Sequence, residues 1–400
     1  MREAVSMYRD PKIIILYASY GDGHLQVAKA LKRRLELTGC RQVQMIDLMA
    51  AAHPVLDALT KFTYLKCSVF FPSLYGWSYQ LSNKPGMAGW LTSRLHSLCI
   101  RAMRQIVKRE MPDAVIQTYP MLAMSELRGR SGAAVPTFTV VTDFVYHGNW
   151  IHPETDRYFV ATSDLKAAMV QGGVRSERIE VTGIPIRDSF KYRVPNESIY
   201  ARYNLQPSRS YVLIMAGAYG VFTNIKKMVH QLSAIEGTEL LLVCGRNETL
   251  LRRMQTDCAP LPNVRVFGYV EQIQELMSVA SCIVTKAGGV TLSESLAMLL
   301  PVIIYRPVPG QEKGNADYLR QEGSALIVND LPALKESVAT IVSQRSRNKQ
   351  DPFAESAPAT RAAERVVSEV LRFVRNRVSQ QSDMTSFHRK ERHTWHETYE

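Results

Sequence analysis

The strongest constraint in this sequence is a unit that occurs in both halves of the chain. An unbroken apolar, β-branched run stops at glycine and gives way to helical spacing. Residues 12–19 (KIIILYAS) show no apolar–polar alternation, as expected of a strand covered on both faces. Gly21-Asp22-Gly23-His24 follows, and residues 25–37 then carry Leu25, Ala28, Leu31 and Leu35 on one helical stripe. After Pro195 the pattern restarts: residues 211–216 form a second buried run, Gly217-Ala218-Tyr219-Gly220 closes it, and a helix is expected over about 224–234. Doubly covered strands need crossover helices, so the spacing predicts parallel α/β sheets, one in each half.

Further strands are expected over 43–47, 114–118, 137–142, 158–161 and 179–182 in the first half. The second half should hold strands over 240–244, 264–267, 282–285 and 302–305. With 400 residues, 46% of them hydrophobic, the chain can bury two cores. Gly183-Ile184-Pro185 reads as the hinge, giving a first domain over 1–185 and a second over 186–345. Residues 344–360 read as a linker. Residues 361–378 have a Val366, Val370, Phe373, Val374 stripe and are expected to pack back on the first domain; the polar tail 379–400 is expected to be disordered.

The net charge of +12 favours polyanionic partners. The six cysteines have no CxxC spacing and lie partly in apolar runs, which fits buried free thiols rather than a metal site. MREAVSMYRDPK lacks the apolar core of a signal peptide, and no run reaches the length of a membrane-spanning helix. Membrane contact is therefore expected to be peripheral.

Chemistry concentrates in loops that follow buried strands. Gly21-Asp22-Gly23-His24 offers close backbone approach and a helix N-terminus for a phosphate or developing anion, although taken alone its glycines are better explained by a packing turn. His24 is harder to explain as packing. Lys286-Ala287-Gly288-Gly289-Val290-Thr291-Leu292-Ser293-Glu294 couples a glycine pair to hydroxyls suited to an N-cap or a phosphate. Its Glu294, expected in the first helical turn, can bridge vicinal ribose hydroxyls or complement the helix dipole. The loop 307–315 offers Gln311, Glu312 and Asn315, the paired donors and acceptors that a hexose requires. Gly217, Gly288–Gly289 and Gly310 should converge at the carboxyl edge of one sheet, where such folds bind ligands.

Between Lys61 and Arg109 there is no acidic residue, while Trp77, Trp90, Arg94, Arg101 and Arg104 interleave aromatic and basic character. That composition suits the headgroup zone of an anionic membrane, and equally a helical pair with a solvated basic face. No nucleic-acid-binding motif accompanies it.

These residues together resemble a family. The segments 18–24, 141–144 with His147, Trp150 and His152, 182–187, 215–218, 286–294 and 305–316 are similar to those of glycosyltransferases related to plant monogalactosyldiacylglycerol synthase and to the undecaprenyl-linked GlcNAc transferase of peptidoglycan synthesis. Bacterial processive diacylglycerol glucosyltransferases look most similar. Gln26 and Val27 stand where the plant and peptidoglycan enzymes have Arg and Ser.

The resemblance implies a GT-B fold, two Rossmann-like domains facing a cleft. The donor would be UDP-glucose, held by Gly217, Ala218, Lys286, Gly288, Gly289, Thr291, Glu294, Gln311, Glu312 and Asn315. The acceptor would be 1,2-diacylglycerol or a glycolipid, on the side of Gly23 and His147, reached from the cytoplasmic face of the membrane. The reaction would be inverting and need no cofactor or metal. His24 and Asp143 are both candidates for the base; Asp143 can instead cap a helix, and His147 and His152 can be structural. Transfer of galactose or GlcNAc to another lipid, or a non-catalytic sugar-nucleotide-binding regulator, are the alternatives.

Overall fold

Ile13, Ile14 and Ile15 are all fully buried, because both faces of their strand are covered. Ile13 and Ile15 pack with Val27, Leu31 and Leu35 of the helix Asp22–Leu37, whereas Ile14 and Leu16 pack with Met103, Ile106 and Leu127 on the other side. The second half repeats the arrangement: Tyr211 and Leu213 enter one apolar cluster, Val212 and Ile214 another. The computed structural model describes residues 10–60, 63, 76, 79, 97, 99–191, 196–217, 222, 224–347 and 358–377.

The first sheet contains β1 (Ile13–Tyr17), β2 (Val43–Asp47), β3 (Ala114–Gln117), β4 (Thr137–Val140), β5 (Arg157–Val160) and β6 (Ile179–Val181), ordered β2-β1-β3-β4-β5-β6. The second contains β7 (Ser210–Met215), β8 (Thr238–Val243), β9 (Val264–Phe267), β10 (Ala280–Thr285), β11 (Val302–Tyr305) and β12 (Ala325–Val328), ordered β12-β11-β10-β7-β8-β9. Every pairing is parallel. The chain is α/β, with two doubly wound sheets.

The strand orders locate the ligand crevices. In the first sheet β2 lies on one side of β1 and β3 on the other. In the second, β8 and β10 flank β7 in the same way. Loops leaving the carboxyl ends of such neighbours diverge, and the gap between them receives ligand.

The helix over 362–377 returns to the first sheet. Phe373 meets Phe138 edge-on at 5.4 Å, Arg34 pairs with Glu364 at 2.9 Å, and Arg157 with Glu369 at 3.4 Å. Val366, Val367 and Val370 join Ile184, Ile186 and Phe190 in the apolar cluster that runs on into the second sheet.

Several expected boundaries shift. The first helix starts at Asp22, so His24 sits within its first turn rather than in the glycine turn before it. The helix Leu331–Arg347 continues into the expected linker. Strand β12 lies in a short, half-exposed segment that the pattern did not single out. The five described cysteines are buried and free, and burial pushes Cys40 and Cys99 up to about 11 and Cys244 up to about 12.

Candidate active site

Both switch points open on one cleft of about 380 Å³. From the first half it is lined by Gly21, Gly23, His24, Tyr119, Thr142, Asp143, His147 and Trp150. From the second it is lined by Gly217, Lys286, Gly288, Gly289, Thr291, Gln311 and Glu312. A smaller cavity of about 100 Å³ adjoins it, between Asp22 and Gln26 on one side and Arg187, Tyr269, Val270 and Glu294 on the other.

His24 is half-buried in the first turn of the helix Asp22–Leu37, which follows β1. Its Nδ1 lies 2.7 Å from the carbonyl oxygen of Thr118 and 3.2 Å from Oγ1 of Thr142. A carbonyl only accepts, so Nδ1 carries the proton and the lone pair is on Nε2. Burial lowers the basicity of the ring, and the charge of Asp143 and the Thr118 hydrogen bond oppose that fall. The ring is edge-on to Tyr119 at 4.9 Å and 6.3 Å from Trp150. A neutral imidazole with a fixed tautomer suits a general base.

Asp143 is buried on the loop after β4. Its Oδ2 accepts from Trp150 Nε1 at 3.2 Å, and its Oδ1 accepts from Asn315 Nδ2 at 3.3 Å and from the Gln311 amide. Three donors fix the orientation of this carboxylate. It caps no helix; it is tied across the cleft instead.

His147 also faces the cleft. Its Nδ1 accepts from the Asn149 N–H at 3.1 Å and its Nε2 donates to the Tyr79 carbonyl at 3.2 Å, so both ring nitrogens are occupied structurally. His152 pairs with Glu126 at 3.1 Å, away from the cleft lining.

The helix Gly289–Ala297 begins at the end of β10 and aims its N-terminus into the cleft. A Cβ on Gly289 would lie 2.1 Å from the Thr142 carbonyl oxygen, so only glycine lets the two halves approach there. Gly217 has φ +78, which leaves room for the turn after β7. Thr291 lines both cavities. Ser293, expected as a cap or phosphate contact, donates instead to Gly289 O within the helix at 2.8 Å. Glu294 lies in the second turn, not the first, and is 5% exposed. Burial raises its carboxyl to about 7, Arg187 opposing and Asp22 adding to the rise.

Lys286 Nζ is 3.6 Å from Glu312, whose other oxygen accepts from Val308 N–H at 3.3 Å. Asn315, expected among the donor-binding residues, is fully buried and outside the cleft lining, because its amide serves backbone and Asp143. Arg101 and Arg104 are exposed on the helix Ile100–Glu110, remote from these loops in the sequence. Trp77, Trp90, Arg94 and Ala218 lie outside the described residues, as do most of 61–98 and the tail 379–400.

Some site residues were not singled out from the sequence. Arg246 stacks over Tyr269 at 3.8 Å and reaches Asp22 at 3.6 Å; Tyr269 OH is 3.2 Å from Asp22 and 3.2 Å from Gln26 Nε2. Their signal was available: Gly245-Arg246 follows the buried strand β8 and Gly268-Tyr269 the half-buried strand β9, at the same sheet edge.

Comparison with known proteins adds to this geometry. A family model described as monogalactosyldiacylglycerol (MGDG) synthase matches residues 24–186, and one described as glycosyltransferase family 28 C-terminal domain matches 212–371. A processive diacylglycerol beta-glucosyltransferase of Bacillus cereus (strain B4264) is 40% identical over 333 residues, 81% of this chain and 84% of that protein. One of Bacillus thuringiensis (strain Al Hakam) is 40% identical over 328 residues, with the same coverage. Among solved structures, Acinetobacter baumannii MurG aligns with TM-score 0.53 at 17% identity, covering 90% of this chain and all 100% of that one. A UDP-GlcNAc 2-epimerase from Neisseria meningitidis aligns with TM-score 0.59 at 14% identity over 90% and 100%. The two structures support the GT-B-like fold.

Proposed function

Because this chain belongs to the family of processive diacylglycerol β-glucosyltransferases, we propose that it moves glucose from UDP-glucose onto the free hydroxyl of 1,2-diacylglycerol, with inversion at the anomeric carbon. It is a UDP-sugar glycosyltransferase of glycolipid synthesis. The observation that carries the assignment of roles is the meeting, across one cleft, of a tautomer-fixed imidazole and a glycine-opened helix N-terminus.

The donor occupies the second half, 186–345. Its diphosphate lies at the N-terminus of Gly289–Ala297, near Gly288, Gly289, Thr291 and Lys286, where unpaired N–H groups and the helix dipole stabilise the departing UDP. Glu294 takes the ribose hydroxyls in the adjoining cavity, and Gln311 and Glu312 hold the sugar. The first half, 1–185, presents the lipid hydroxyl past Gly23 and His147. His24 Nε2 removes its proton as the oxygen attacks the anomeric carbon. Asp143 stabilises the imidazolium that results, and its three hydrogen bonds favour this role over that of base.

The lipid is met at a membrane surface, on the cytoplasmic side. Among the described residues, no helix is long and apolar enough to cross a membrane. Ile100, Met103 and Ile106 are buried, while Arg101, Arg104, Lys108 and Arg109 face outward from the same helix. Each basic side chain near an anionic surface contributes about 1 kcal/mol.

Incubation with diacylglycerol liposomes and labelled UDP-glucose, UDP-galactose or UDP-GlcNAc tests the reading. Labelled lipid from UDP-glucose is expected. Lipid labelled only by another donor would move the specificity, and binding of UDP-glucose without any labelled lipid would favour a sugar-nucleotide-binding regulator.

A further inference from the structure

Two of the hydrogen bonds that cross between the halves meet on one side chain that lines neither cavity. Asn315 Oδ1 accepts from the Phe144 N–H at 2.9 Å. Its Nδ2 donates to the Ala287 carbonyl at 3.1 Å and to Asp143 Oδ1 at 3.3 Å. One amide from the donor half thus holds two consecutive residues of the acceptor half and the loop that precedes the phosphate-binding helix. Tyr318, next along the Asn315 helix, stacks on Phe144 at 5.7 Å and closes the joint.

The same acceptor loop touches the base. Thr142 Oγ1 is 3.2 Å from His24 Nδ1, and Trp150, which donates to Asp143, has its ring 6.3 Å from that of His24. Residues 142–144 therefore link His24 at one end to Asn315 at the other. Two of the three donors to Asp143, the Gln311 and Asn315 amides, come from the donor half. The carboxylate is fully oriented only when the halves meet.

We propose that Asn315 is a positioning residue: it joins the donor half to the loop 142–144 and so sets Asp143 and His24 for proton transfer when the cleft closes over the sugar nucleotide. This rests on the glycosyl-transfer reading above. A sugar contact by Asn315 would require its amide to leave three partners in a fully buried place, and that rupture would leave buried backbone groups unpaired.

The charged and titratable groups around His24 are Asp22 on its own helix, Tyr119 after β3, Asp143 and His147 after β4, and the Lys286–Glu312 pair on the facing half. Asp143 is the one that draws a proton onto the imidazole. Release of Asp143 should lower the His24 pKa, and a second carboxylate beside it should raise it.

The test measures glucolipid formation against pH for Asn315→Ala and Asn315→Asp, with UDP affinity and thermal melting as controls. In Asn315→Ala, kcat should fall by about 100-fold, the scale of a small misplacement of reacting groups. KM for UDP-glucose should stay within about twofold of wild type on the same grounds. The acid limb of the kcat profile should move to lower pH. In Asn315→Asp, which keeps the shape and the Phe144 bond, kcat should fall and the limb should move to higher pH; this variant carries the test alone if truncation unfolds the chain. Unmoved acid limbs, or a raised KM at constant kcat, would overturn the proposal in favour of a packing or sugar-binding residue. A wild-type protein that forms no glucolipid would instead remove the reading beneath it.

Discussion

Glu294 offers a prediction in which stability and function move in opposite directions. The side chain is 5% exposed, and burial raises its carboxyl from 4.5 to about 7. Between those pH values the folded chain retains a proton that the unfolded chain has released, so stability falls as pH rises through the window. Above it, the ligand-free protein carries a buried carboxylate at a cost of about 3 kcal/mol, from about 1.4 kcal/mol per pKa unit. Glu294→Gln removes that charge. At pH 8 the variant should resist urea better than wild type by up to about 3 kcal/mol, and at pH 4, below the window, the two should coincide. Ribose hydroxyls favour the ionised carboxylate, so wild-type affinity for UDP should rise with pH and level off above about 7. The variant should bind UDP at least about tenfold more weakly, the loss of a charged hydrogen bond, with no such pH dependence. Urea melts at both pH values and calorimetric UDP titrations read these effects. A variant less stable than wild type at pH 8, or one that binds UDP equally well, would refute the assignment.

Three further outcomes follow from the cleft. His24→Gln should lower kcat by about 100-fold or more, the usual share of general-base catalysis, while UDP affinity by calorimetry stays unchanged. Gly289→Ala places a methyl 2.1 Å from the Thr142 carbonyl oxygen, so transfer activity should collapse with the melting temperature little altered, because the halves can no longer meet. Charge reversal of Arg101 and Arg104 should weaken sedimentation with anionic liposomes by at least about tenfold and spare UDP binding, given about 1 kcal/mol for each lost basic contact.

Much of the fold was legible because local signals and tertiary roles coincide. Ile13, Ile14 and Ile15 announce a doubly covered strand, and the structure buries all three. Gly217 and Gly288–Gly289 announce loops at a carboxyl edge, and strands β7 and β10 prove to be neighbours. Strand order itself is not written locally. It follows from which crossovers pack, so the pairing of His24 with Thr118 and Thr142, just past the ends of β3 and β4, appears only in three dimensions. Asn315 shows the same limit. Its amide chemistry fits a sugar as well as it fits backbone, and only burial against Phe144 and Ala287 separates the two. Boundaries slipped where a polar residue starts a helix: Asp22 opens the first turn, complementing its dipole, and carries His24 into the helix.

The most direct test of the account is the chemical identity of the lipid formed from UDP-glucose and diacylglycerol liposomes, determined by mass and by the anomeric coupling in proton NMR. A β-linked glucosyl-diacylglycerol, formed about 100-fold or more slowly by His24→Gln, is the predicted result. An α-linked product, or wild-type yield from the His24 variant, would contradict direct displacement by a lipid hydroxyl activated at His24.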